Sequence, residues 1–128
     1  MTESSILIVG GGITGRTTAR NLAARGLDVS LIDAEPAVPE SLAAEVTELR
    51  ALGVEVRSAV ALVGVIDLGS HVEAELVDGR VENHDAVIVT DPDANSQVTT
   101  ESPRVIRIDA DGDPDRLSTA LRDIGLML

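Results

Sequence analysis

The stretch from Ile6 to Asp33, ILIVGGGITGRTTARNLAARGLDVSLID, constrains the fold more than any other part of the chain. Ser5 to Val9 is a short apolar run without alternation, the pattern of a strand covered on both faces. Glycines follow at positions 10, 12 and 15, then a helical segment and a second apolar strand ending in a carboxylate, Asp33. Each glycine has a physical role. Gly10 permits the tight turn, Gly12 lets backbone approach a pyrophosphate, and Gly15 lets the helix lie close on the strand. The amides around Gly12, Ile13 and Thr14, with Gly11 in the same turn, face that pyrophosphate at the positive end of a helix dipole. Asp33, about 20 residues further on, is placed to accept hydrogen bonds from ribose hydroxyls. Strand, glycine turn, helix and distal acid together make a dinucleotide-binding fingerprint. The candidate cofactor-binding residues are Gly10, Gly11, Gly12, Ile13, Thr14, Gly15, Asp33 and Ala34. A carboxylate repels a 2′-phosphate, and the following Ala34, Glu35 and Pro36 supply no arginine, so NAD, FAD or ADP is expected over NADP.

Composition narrows the chemistry. The chain has 128 residues, enough for one domain with one core, taken as 1–128. It contains no Phe, Tyr, Trp or Cys, and all ten basic residues are Arg. The core must therefore be packed from Val, Leu, Ile and Ala. The missing Cys excludes a disulfide, a thiol redox centre and cysteine-ligated zinc or iron–sulfur clusters. The missing Lys excludes a Schiff base and a Walker lysine. No aromatic ring is present to stack on an adenine, a nicotinamide or an isoalloxazine. A net charge of −12 disfavours nucleic acid and anionic membrane surfaces as partners. No apolar run is long enough for a membrane span, and MTESSILIVGGG lacks the basic start of a signal peptide, so a cytoplasmic location is expected.

Along the chain, the spacing predicts a helix from Ile13 to Arg25 with Ala19, Leu22 and Ala23 on its buried side, closed by Gly26. A strand over Leu27 to Ile32 follows, then a loop over Glu35 to Pro39. A second helix from Pro39 to about Leu52 carries Leu42, Val46 and Leu49 as its stripe, with Gly53 behind it. Val54 to Arg57 completes a β-α-β-α-β unit with right-handed crossovers. Val60 to Ile66, His71 to Val77 and the strand after the Asp78-Gly79 turn read as an antiparallel meander. Ala86 to Thr90 is fully apolar and should return to the parallel sheet. Asp91 to Pro103 reads as an exposed loop, Val105 to Ile108 as a last strand, and Asp113-Pro114 as the start of a helix to about Ile124. The expected fold is thus α/β: a Rossmann-like three-layer arrangement, a central parallel sheet with an appended antiparallel β-meander.

Other candidate sites are weaker. The acidic run from Asp109 to Asp115 fails the calcium-loop pattern, because Pro114 and Ala120 stand where Gly and Glu are needed. No metal site is expected. His71 and His84 are read as solvated side chains near strand ends. No Gly-x-Ser-x-Gly elbow occurs, which argues against a hydrolase. No catalytic residue is assigned.

The order of the glycine turn, Asp33, ALGVEV, VEAELVDGRVENHDAVIV and the terminal strand–helix resembles the nucleotide-binding domain of pyridine-nucleotide-dependent flavoprotein reductases. Within these it is most similar to the C-terminal dinucleotide-binding region of the trimethylamine dehydrogenase and 2,4-dienoyl-CoA reductase family. There, such a domain follows a flavin-bearing barrel and a second dinucleotide domain. Gly10, Gly12, Gly15 and Asp33 match the family's motif. Two later motifs depart from it: Thr90, Asp91 and Pro92 replace a small-residue turn, and Asp109 and Ala110 stand where a Gly-Asp pair would hold the flavin's ribityl chain. The resemblance implies a small nucleotide-binding subunit of a heteromeric flavin-dependent oxidoreductase, itself non-catalytic, with a larger flavin-bearing catalytic subunit as partner. It would bind an adenine nucleotide or act as a docking scaffold. The alternatives are a free-standing NAD(H)- or ADP-binding regulatory module and a self-sufficient NAD-dependent oxidoreductase.

Overall fold

The structure, a computed structural model, describes residues 5–10, 12–34, 40–90 and 104–108, together with the helical positions Thr119 and Arg122. Strand β1 (Ser5–Val9) runs into helix α1 (Ile13–Ala24) and strand β2 (Asp28–Ile32). A 3-10 turn (Glu40–Leu42) leads into helix α2 (Ala43–Ala51) and strand β3 (Glu55–Arg57). Strands β4 (Leu62–Asp67), β5 (Val72–Leu76) and β6 (Val81–His84) form an antiparallel sheet in that order. Strands β7 (Ala86–Val89) and β8 (Val105–Arg107) rejoin the first sheet, which is parallel throughout and ordered β3-β2-β1-β7-β8. This is the expected α/β architecture with its appended meander.

The pleat of the parallel strands explains their unbroken apolar runs. Ile6 and Ile8 of β1 pack with Ala19 and Leu22 of α1 and Leu49 of α2. Leu7 and Val9, on the other side of the same strand, pack with Val65, Val72, Ala74 and Leu76 of the meander. Every buried position in β1 therefore needs an apolar side chain, whichever way it points. Two aliphatic clusters result, one on each face of the parallel sheet.

Helices α1 and α2 end by the same device. Gly26 and Gly53 adopt φ of +84° and +94°. The Gly26 and Leu27 amides donate to Ala23 O and Leu22 O, and the Gly53 and Val54 amides donate to Arg50 O and Leu49 O. These are Schellman closures. They correct two strand boundaries: Leu27 and Val54 spend their N–H groups on the preceding helix, so pairing begins at Asp28 and Glu55. The second helix also begins later than expected, at Ala43. The preceding turn is tightened to 3-10 geometry, a common form at an N-terminus lacking a side-chain cap, and leaves Leu42 half-buried at the N-cap. Val77, expected in β5, belongs instead to the turn, where Gly79 at φ +88° donates to Leu76 O. The Glu35–Pro39 and Asp91–Pro103 loops and the Asp113-Pro114 cap lie outside the described residues.

Helix α1 crosses the end of β1 so closely that a Cβ on Gly15 would overlap the Gly10 carbonyl oxygen and lie 3.1 Å from Thr90 Oγ1. Neither group is free to swing aside, because the Gly10 amide donates to Ile32 O at 2.9 Å and the Thr90 side-chain hydroxyl donates to Val9 O at 2.9 Å. Gly15→Ala should therefore destabilise the fold by at least about 1–3 kcal/mol, the range of overpacked sites. Gly12→Ala should cost less than about 1 kcal/mol, since a Cβ there meets nothing within 4 Å. Urea unfolding of the two variants checks this ordering.

Candidate nucleotide-binding site

The site grows from the carboxyl end of the parallel sheet. The order β3-β2-β1-β7-β8 means that the chain leaves β1 in one direction and returns on its other side as β7. Such a switch in strand order opens a crevice beyond the strand ends, where ligands bind in open α/β sheets. The β1–α1 turn and Thr90, which follows β7, lie at this end. Asp33 follows β2, and the register Val9↔Ile32 places it beside Gly10.

Gly10 leaves β1 at φ +120°. Gly12 is the extended N-cap of α1, and its carbonyl accepts the first helical bond from the Arg16 amide at 3.0 Å. The amides of Ile13, Thr14 and Gly15 precede that bond, so helix geometry gives them no acceptor within α1. Among the described residues no side chain caps this terminus, and its first turn carries no acid. The positive end of the dipole is thus left for a group from beyond these residues. The open space above Gly12 gives such a group room to approach the backbone. Ile13 is 76% exposed at the mouth of the turn, and Thr14 is half-buried, its carbonyl accepting Thr18 Oγ1 at 2.7 Å. Gly11 lies outside the described residues.

Asp33 is half-buried and its backbone is pinned by β3 and the segment behind it. Its amide donates to Arg57 O at 3.0 Å, and its carbonyl accepts the Val60 amide at 3.0 Å. Ala34 is exposed. Arg57 stands on the neighbouring strand, but its register partner is Ile32, whose side chain belongs to the meander-side cluster. The guanidinium therefore serves the meander face and adds no cation for a 2′-phosphate at Asp33. On α1, Arg16 is buried and its Nε lies 3.0 Å from Glu45 Oε2 on α2. Among the described residues no group of His, Asp and Glu could hold a metal ion.

A polar chain between the two sheets was not foreseen from sequence. Arg57 Nη1 and Nη2 donate to Glu82 Oε2 and Oε1 at 2.6 and 2.9 Å. His84 Nε2 lies 3.0 Å from Glu82 Oε1, and His84 Nδ1 lies 2.7 Å from Ser5 Oγ. The chain thus joins β3, β6 and β1. It overturns the expectation that His84 is solvated: only 6% of the residue is exposed. His84 is opposite Val72 and Glu82 is opposite Ala74, both inward-facing positions of β5. That parity was available from the Asp78-Gly79 hairpin and the alternation of HVEAELV. His71 is half-buried, with Nδ1 2.9 Å from Ser70 Oγ.

Residues 1–112 match the family described as pyridine nucleotide-disulphide oxidoreductase, and the chain belongs to that family. The family binds FAD and NAD(P) dinucleotides. No curated protein matches the chain. Among solved structures, the chain is similar to the HOCl-induced flavoprotein disulfide reductase RclA from Escherichia coli, at 22% identity and a TM-score of 0.61. That match covers 69% of this chain and 21% of RclA. It is also similar to the Diels-Alderase PyrE3 of pyrroindomycin biosynthesis, at 19% identity and a TM-score of 0.61, covering 74% of this chain and 34% of the other. A third is CabE, an aromatic hydroxylase from angucycline biosynthesis, at 17% identity and a TM-score of 0.57, covering 68% and 30%. The aligned parts are therefore about a fifth to a third of these proteins. Among the described residues, no helix is long and apolar enough to cross a membrane.

The Arg57 guanidinium is the main cause that holds the Glu82 carboxyl down to about 2, with the His84 hydrogen bond a smaller one. A depressed folded-state value stabilises the protein fully above the ordinary carboxylate range, and that gain is lost as pH falls through about 2. Glu82→Gln should cost about 1–2 kcal/mol at pH 6, a figure kept low because solvent reaches and screens the pair. The difference from the parent should shrink progressively below pH 4.5. Denaturant unfolding from pH 6 to pH 3 measures it.

Proposed function

We propose that the chain binds an adenine nucleotide (NAD, FAD or ADP) at the β1–α1 turn, as the nucleotide-binding part of a larger flavin-dependent oxidoreductase. The observation that carries this is the uncapped N-terminus of α1 set over the open space at Gly12. The amides of Gly12, Ile13, Thr14 and Gly15 would hold the pyrophosphate, with Gly10 and Gly11 shaping the turn. Asp33 would accept from the adenosine ribose beside Ala34. A bound dinucleotide supplies hydride chemistry; the residues of this chain bind it, orient it and exclude a 2′-phosphate by charge.

The chemistry itself belongs to a partner that carries the flavin. Hydride transfer needs two reactants held in register. Among the described residues, this seat offers backbone donors and one carboxylate, with no acid–base pair beside them. The order of motifs supports an assembly of the trimethylamine dehydrogenase and 2,4-dienoyl-CoA reductase type, in which this domain holds the nucleotide.

Thermal and calorimetric titration of the full chain with ADP, NAD, FAD and NADP tests the seat. Nucleotide at 100 times Kd should stabilise the fold by about 2.7 kcal/mol. NADP should bind at least about ten-fold more weakly than NAD, the consequence of a carboxylate facing a 2′-phosphate. Gly12→Val should lower affinity at least about ten-fold while the fold persists, because its side chain enters the open space above the turn. Unchanged affinity in that variant would put the nucleotide elsewhere.

A further inference from the structure

The meander presents an outer face that its inner packing does not explain. Antiparallel sheets with one solvated face carry polar side chains on that face. Here Val63, Ile66, Val77 and Val81 are 48–59% exposed. Cross-strand register joins the face into rows: Ile66 with Glu73 and Asn83, and the Val63–Gly64 bulge with Glu75 and Val81. The central strand thus sets two carboxylates, two residues apart, between flanks of β-branched aliphatics. The Glu73 and Glu75 carboxylates make no ion pair or hydrogen bond with the described residues.

We infer that this face docks a different protein chain, through a surface that alternates aliphatic side chains with arginine or lysine. The aliphatic flanks supply area whose burial is favourable, and a patch of this kind on a soluble protein marks an interaction site. The two carboxylates supply the charge preference. They are about 6.5–7 Å apart along the strand, the spacing of alternate residues on an opposing extended segment. A second copy of this chain is the wrong occupant. A two-fold dimer through this face would bring four unpaired carboxylates, Glu73 and Glu75 of each copy, into one interface between molecules that each carry a net charge of −12. The surface lies on the meander and is independent of the nucleotide seat, so either proposal can fail without the other.

The test uses the full chain, isotopically labelled, and three synthetic peptides of equal length: alternating Val-Arg, alternating Ser-Arg and alternating Val-Glu. The Val-Arg peptide should shift amides of β4, β5 and β6. The Ser-Arg peptide should bind at least ten-fold more weakly, and the Val-Glu peptide should not bind. Glu73→Lys with Glu75→Lys should abolish Val-Arg binding. Asp28→Lys with Glu40→Lys, which alters net charge equally at exposed sites, should leave it intact. Should the first pair fail to fold, Glu73→Gln with Glu75→Gln replaces it and should weaken binding at least ten-fold. Equal losses in both charge-swapped pairs would reduce the effect to bulk charge and overturn the inference. So would shifts centred outside the meander, or a stable dimer of the chain alone.

Discussion

The absence of a Cβ at Gly15 is the constraint on which the nucleotide end of the molecule depends. It lets α1 pass against the Gly10 carbonyl, and that contact fixes where the helix begins relative to β1. The contact is held from both sides. Thr90, at the end of β7, donates its hydroxyl to Val9 O and its amide to the same carbonyl, and the Gly10 amide is committed to β2. Three parallel strands therefore converge on one turn. The turn's geometry follows from backbone packing before any ligand arrives, which is what a preorganised anion seat requires.

Away from that turn, stability comes from aliphatic packing on both faces of one sheet. Each fully buried Leu, Ile or Val contributes about 1.5–3 kcal/mol of burial, and the two clusters contain many of them. The Arg57–Glu82–His84–Ser5 chain is smaller in energy, since each hydrogen bond contributes about 1 kcal/mol net. Its role is positional. The chain passes from β6 in one sheet to β7 in the other through a single residue, Asp85. There the Ser5 amide donates to Asp85 Oδ2 and the Asp85 amide donates to Ser5 O, both at 2.8 Å. A crossing this short fixes β6 at the middle of the parallel sheet, and the ion pair ties the same strand to β3 at that sheet's edge.

Most of the architecture was legible in the sequence because its signals are local. Unbroken apolar runs marked the parallel strands, the glycines after α1 and α2 marked both helix ends, and Asp78-Gly79 marked the hairpin. The errors have local causes as well. Leu27 and Val54 look like strand residues by hydrophobicity, but their amides belong to the helix closures. Val77 continues the alternation of β5 and is taken into the turn instead. His84 was misjudged because a polar residue on a short strand reads as exposed. Its hydrogen-bond partners are Glu82 on the same strand and Ser5, which only tertiary packing brings to it. The spacing of Gly10, Gly12, Gly15 and Asp33 predicts a nucleotide seat, and the packing around Gly15 agrees with the role its place in the motif gives it. Gly15 is demanded by the protein's own backbone, and Gly12 by nothing inside the described structure.

That separation makes Gly12 the position whose identity points outward, to a ligand. Belonging to the pyridine nucleotide-disulphide oxidoreductase family agrees with such a seat. On the proposed reading, catalysis falls to groups beyond this turn, and the outer face of the meander is a separate docking surface. The most direct measurement is amide chemical-shift mapping of the labelled chain during titration with ADP. The account predicts the largest shifts at Gly12, Ile13, Thr14, Gly15 and Asp33, with Glu82 and His84 undisturbed. Largest shifts centred on the meander, or no shifts at millimolar ADP, would contradict it.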